Sequence, residues 1–203
     1  MQRRLGFGQG ITPGAKALLI ATVASSLLYA FLPENVRLEF LRWATATDHS
    51  VWKSFYLWQL VSTALVPVQP DGALDFVGLL FQSLMLWMFL PSLESWWGRK
   101  RFLYFALWTT LAGTVAGTLV GLALPGVHVV SGIDPFVFAG VIAFGVLFAD
   151  REVRFFGAVP MTGKHLTIGM TAFVALFILI GQQWAEGASM AAAALLSLGL
   201  TTG

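Results

Sequence analysis

The strongest constraint on this chain is a succession of apolar runs, each near the length a helix needs to cross a bilayer. Residues 15–32, 74–93, 102–123, 134–149, 166–183 and 187–200 are nearly free of charge, and shorter polar stretches separate most of them. A hydrocarbon layer about 30 Å thick takes about 20 residues of α-helix, with a range near 17–25. The fourth and sixth runs are short. The sixth contains Ala191–Ala194 and suits a helix packed inside a bundle rather than one facing lipid. Membrane strands would instead show segments of about ten alternating residues. Composition agrees: 57% of the residues are hydrophobic and 11% charged, where soluble domains carry about 25% charged residues. The expectation is an all-α membrane protein, residues 1–203 forming one membrane domain with six spans. The first run superficially resembles a signal peptide. No small-x-small cleavage site followed by a polar domain appears, so it reads as a retained span.

The basic residues predict an orientation. Arg3 and Arg4 precede the first run and Lys16 stands at its start; Arg99, Lys100 and Arg101 separate the second from the third; Arg151, Arg154 and Lys164 separate the fourth from the fifth. The alternate connections hold Arg37, Arg42 and Lys53 beside Glu34, Glu39, Asp48, Asp71, Asp75 and Glu186. Lysine and arginine concentrate on the cytoplasmic side, so both termini are expected there, which requires an even number of spans. The Ala/Gly-rich composition suits a bacterial plasma (inner) membrane.

Between the first two runs, residues 33–73 are too many for a plain loop in a compact protein. They include Trp43, Trp52, Phe55, Tyr56 and Trp58, side chains that favour the headgroup layer over water. An insert lying at the outer membrane surface is expected.

Several function classes drop out. Without cysteine there are no disulfides, thiolate nucleophiles or Cys-based zinc sites. The net charge of +2 comes in short clusters rather than a basic stripe, so no nucleic-acid partner is expected. No HExxH, paired-acid constellation or phosphate-binding glycine loop occurs, so neither a metal nor another cofactor is expected. Gly113, Gly117 and Gly121, four apart, form a small-residue packing stripe.

A few polar residues stand where an ionisable group in a membrane invites a functional reading. Glu94, one turn before Arg99–Arg101, is expected to pair with those arginines or to bond the following loop. Asp134, followed by Pro135, reads first as a helix N-cap and second as an acid in a polar cavity. Ser131 has His128 three residues away in one short loop, within reach as nucleophile and base. His165 falls near the opposite end of a span, and His49 lies in the insert.

The stretch around these residues resembles the rhomboid superfamily of intramembrane serine proteases and their inactive relatives, which include the derlins. The match to the family's Trp-Arg element is Phe55–Thr63, with Trp58 followed by Gln59 in place of arginine. The match to its second span and exit runs from Leu79-Leu80-Phe81-Gln82-Ser83-Leu84 to Leu93-Glu94-Ser95-Trp96-Trp97-Gly98, the family's histidine and asparagine falling on Gly78 and Gln82. Gly132-Ile133-Asp134-Pro135-Phe136 has the spacing of the family's Gly-x-Ser-Gly element, which puts Asp134 at the nucleophile. A rival register puts the nucleophile at Ser131, before Gly132, and fits less of the pattern. The family's catalytic histidine falls on Ser189.

The resemblance implies a six-helix rhomboid-like bundle with a long insert embedded in the outer leaflet after the first helix. It implies a catalytically inactive member that binds transmembrane segments of client proteins within the lipid bilayer. Asp134, Gly132, Gln82, Gly78 and Ser189 would line the binding region, and Trp58, Gln59, Glu94, Gly98 and Pro135 would be structural. Two alternatives stay open: an active or diverged serine protease using Ser131 with His128, and a small transporter or channel.

Overall fold

The computed structural model describes residues 10–69, 72–126, 128–150, 152–155 and 159–202, with 152–155 and 159–161 described as backbone. Arg3, Arg4, Asp71 and Arg151 of the charge pattern lie outside the described residues. The chain is mostly helical. Helix α1 (Pro13–Phe31) leads into the insert, which folds as α2 (Glu34–Ala44), strand β1 (Ala46–Thr47), α3 (Asp48–Trp52), α4 (Gln59–Ser62) and a 3-10 turn at Thr63–Leu65. Then come α5 (Phe76–Met88), α6 (Leu90–Trp97), α7 (Arg99–Ala123), β2 (Val129–Val130), α8 (Asp134–Leu147), β3 (Glu152–Phe155), β4 (Val159–Thr162), α9 (Gly163–Gly181) and α10 (Trp184–Thr202).

Among the described residues, four helical stretches are long and apolar enough to cross a membrane: α1, α5 with α6 as one 22-residue unit, α7 and α9. The α5–α6 unit breaks at Phe89, just before Pro91, whose ring removes a backbone donor. Gly98, at φ +80°, turns α6 directly into α7, a conformation that glycine adopts without a Cβ penalty.

Helix α8 has 14 residues, about 21 Å at 1.5 Å per residue, short of the roughly 30 Å hydrocarbon layer. Every residue from Pro135 to Gly145 is buried, so α8 is a central post wrapped by its neighbours. Phe102, Phe105 and Phe136 stack edge-on across the α7–α8 boundary. Phe89 meets Phe144 edge-on as well, and Phe148 lies tilted against Phe144. Such edge-to-face pairs add about 0.5–1.5 kcal/mol each beyond buried area.

The glycine stripe seats α10 on α7. A Cβ on Gly117 would stand 2.9 Å from the Ala185 carbonyl oxygen, and one on Gly113 would stand 3.0 Å from that of Ser189. Only glycine lets the two backbones approach this closely.

The sixth apolar run lies within α10, which has 19 residues and extends past the run at both ends. The connection before α9 contains a two-stranded antiparallel hairpin, with Glu152 opposite Thr162. One expectation needs correcting. Glu94 neither pairs with the arginines nor bonds the following loop. Its carboxylate, 4% exposed, accepts the Gly14 and Ala15 amides at 2.8 Å each, capping α1 from 80 residues away. Two orphan amides outcompete solvent-exposed guanidinium groups for a buried anion.

Candidate functional site

The N-terminal ends of α5, α8 and α10 meet at one end of the bundle, and the insert closes over them. Asp75 is the N-cap of α5, accepting the Gly78 amide at 2.9 Å. A Cβ on Gly78 would lie 2.3 Å from that carboxylate, so the cap requires glycine there. One turn on, Gln82 is fully buried and donates from Nε2 to Asp134 Oδ2 at 2.8 Å. Its Oε1 is buried without a partner.

Asp134 departs from its expected role as a helix cap. The N-cap of α8 is Ile133, and Asp134 is the first helical residue with no side-chain bond to a backbone amide. The chain enters through Gly132 at φ +78°, which turns the carboxylate away from the helix amides and towards Gln82. Gly132 is sterically required as well: a Cβ there would come within 2.7 Å of Gln82 Nε2. Pro135 follows, buried, and supplies no amide. Asp134 interacts electrostatically with Asp75 and with Glu186, in the first turn of α10. The three acids come from three helix N-termini, where the backbone dipoles favour negative charge. Among the described residues no three His, Asp or Glu side chains are grouped closely enough to hold a metal ion.

Ser189, one turn beyond Glu186, is 1% exposed and its hydroxyl has no partner. It adjoins Pro135 through Gly113, whose missing Cβ would touch both residues. Pro135, directly after the position matched to the nucleophile, and Ser189, matched to the base, therefore lie on either side of one glycine.

Ser131 is brought near Asp134 in sequence but committed elsewhere. Its hydroxyl donates to the Val68 carbonyl at 2.8 Å and accepts the Val68 amide at 3.1 Å. His128 packs over Gly121 and Asp48 instead, with its amide on Asp48 Oδ1 at 3.4 Å and its Nδ1 unbonded. The two do not hydrogen-bond each other. His165 bonds Thr162 at the opposite end, and His49 contacts Asp48 and Lys53. No imidazole in the described chain faces Asp134.

The insert is stitched down over this end. β1 pairs with β2, Ala46 opposite Val130; the Thr63 hydroxyl donates to the Val130 carbonyl; and the Gly132 amide donates to the Thr63 carbonyl at 2.8 Å. Trp52 reaches α7, its indole donating to Thr118 at 3.0 Å. Gln59 is fully buried and donates to the Arg42 carbonyl at 2.7 Å while accepting from Ser50, so it knots the insert internally. Trp58 donates to the Trp43 carbonyl at 2.9 Å, and its ring stacks with Trp43 and Tyr56. Trp43 at 62% and Phe55 at 73% exposure leave an aromatic outer rim.

Thr63, Val68 and Asp75 were not singled out from the sequence. Asp75 carries a readable signal, an Asp immediately before an apolar run. Thr63 and Val68 act through backbone pairing, which leaves none. No known family model matches the sequence, and no curated protein matches it.

Proposed function

We propose that this chain is a catalytically inactive rhomboid-like protein of a bacterial plasma membrane, six-spanning with both termini in the cytoplasm, which binds transmembrane segments of client proteins. The Gln82–Asp134 bond at the recessed start of the short central helix carries this reading. It sets a carboxylate, without an imidazole beside it, at the position the resemblance gives to the nucleophile. Four further features support it: α8 is central and short, the insert closes the same end, Ser189 adjoins Pro135, and Ser131 spends its hydroxyl on Val68.

A serine alkoxide needs a base within hydrogen-bond reach, and losing that help costs typically ~10²–10⁴ in rate. Each missing oxyanion donor costs ~10²–10³ more, and Pro135 removes a backbone donor directly after Asp134. Polar groups set among these helices are still useful without chemistry, for Gln82 Oε1 and the Ser189 hydroxyl are buried without partners. A client helix bearing a polar or helix-destabilising residue finds hydrogen-bond partners there that lipid does not offer.

The test exposes purified protein in bilayers to transmembrane substrates and to a fluorophosphonate probe. No cleavage and no labelling are expected. Client co-purification should fall when Gln82 and Asp134 are both replaced by leucine in protein that still folds. Labelling that disappears in Ser131→Ala would overturn the reading and establish a protease.

A further inference from the structure

At the opposite end of the bundle, α7 begins with Arg99, Lys100 and Arg101, all exposed, and no carboxylate pairs with any of them among the described residues. Glu94, the nearest acid in sequence, is committed to the α1 amides. Beside this cluster a groove of about 100 Å³ runs along the outer surface, lined by Trp97, Arg101, Tyr104, Phe105, Trp108 and Leu200. Apart from the Arg101 head and the Tyr104 hydroxyl, its walls are aromatic and aliphatic. Tyr104 and Trp108 are 64% and 55% exposed, so the groove opens sideways, where a bilayer's chains would lie.

Arg101 defines the mouth. It donates from one terminal nitrogen to the Leu200 carbonyl at 3.0 Å, and its guanidinium lies over the Trp97 ring, 5.6 Å from the centroid. The head is thereby fixed at the upper edge of the groove with donors to spare. The first turn of α7 has no side-chain cap, so its amide donors stand beside the three cations.

A fixed cation over an aromatic slot, at one end of a membrane helix, fits a ligand with one anionic head and a hydrocarbon tail. The groove is smaller than the roughly 300–1,000 Å³ of small-molecule pockets and accommodates part of one chain. We propose that it holds an anionic glycerophospholipid, with phosphate on Arg99–Arg101 and an acyl chain along Trp97, Tyr104 and Trp108. Basic sites between transmembrane helices recognise such heads by the same complementarity. The site is independent of the client-binding reading, because it shares no residue with the Asp134 end.

Native mass spectrometry of the detergent-solubilised chain, titrated with phosphatidylglycerol or with phosphatidylcholine of the same chains, tests this. Phosphatidylglycerol should bind more tightly. In Arg99→Gln/Lys100→Gln, whose side chains are exposed, the preference should fall about thirtyfold, the effect expected for two cations at an anionic surface. Leu200→Trp, which fills the groove and leaves every cation in place, should weaken both lipids, and glycerophosphate without chains should not compete. Equal binding of the two lipids by wild type, an unchanged preference in the double variant, or full competition by glycerophosphate would overturn the proposal.

Discussion

Replacing Glu94 with alanine should be among the most damaging single changes in this chain. The carboxylate is 4% exposed and accepts two amides at 2.8 Å. Hydrogen bonds to a charged group contribute about 1.5–3 kcal/mol each, and an amide left buried without a partner costs about 1–3 kcal/mol. Gly14 and Ala15 are themselves buried, although a helix end near the membrane surface gains some help from water. The lower end of the range applies, about 3 kcal/mol for Glu94→Ala. Glu94→Gln keeps one acceptor and should lose about half as much. Gly14→Ala should hurt through the same contact, since its Cβ would stand 2.8 Å from the carboxylate oxygens. Reversible unfolding by SDS in mixed micelles, followed by circular dichroism, gives the free energies. A double-mutant cycle with Arg99→Gln separates the cap from an ion pair: the two changes should add within about 0.3–0.5 kcal/mol. The cap argument fails if Glu94→Ala stays within about 0.5 kcal/mol of wild type, or if the cycle shows strong coupling to Arg99.

Gly117→Leu should destabilise by about 1–3 kcal/mol or more, because its Cβ meets the Ala185 backbone at 2.9 Å, whereas Gly121→Ala meets only side chains, His128 at 3.1 Å and Asp48 at 3.3 Å, and should cost less; melting in detergent ranks them. Ser131→Ala should cost about 1–3 kcal/mol by stranding the Val68 amide, and limited proteolysis should then cut the insert faster. Asp134→Asn retains an acceptor for Gln82 and should stay within about 1 kcal/mol of wild type, while Asp134→Leu strands the whole Gln82 carboxamide and should cost about 1–3 kcal/mol more by the same unfolding assay.

Span positions were legible because an apolar run of fixed length has few uses, and α1, α5–α6, α7 and α9 fall on four of the six runs. The ends were less legible. α10 extends past its apolar run at both ends, because Glu186 interrupts the run and the terminal threonines are helical without being hydrophobic. The hairpin at 152–162 escaped notice because backbone pairing leaves little trace in four-residue strands. At the candidate site the sequence picked Gln82, Asp134, Gly132 and Ser189, yet assigned Asp134 to its own helix end. Its bond to Gln82 spans 52 residues, and a local rule such as capping has no access to a partner on another helix. Glu94 failed likewise: its arginine neighbours in sequence lost to amides 80 residues earlier.

Those long separations set an order of events while the chain is being made. The α1 amides wait 80 residues for Glu94, and Val68 waits 63 for Ser131. At about 5–20 residues per second of synthesis, α1 spends roughly 4–16 s in the membrane before its cap exists. The insert emerges before the strand that closes it, so its carbonyls at Thr63 and Val68 meet only water or headgroups until residues 130–132 arrive. A ribosome-stalled chain ending near residue 125 should therefore carry an insert open to protease, and one stalled long enough to expose α8 should carry a closed one. The central helix, which falls on the fourth apolar run, is the part that turns a string of helices into one folded body.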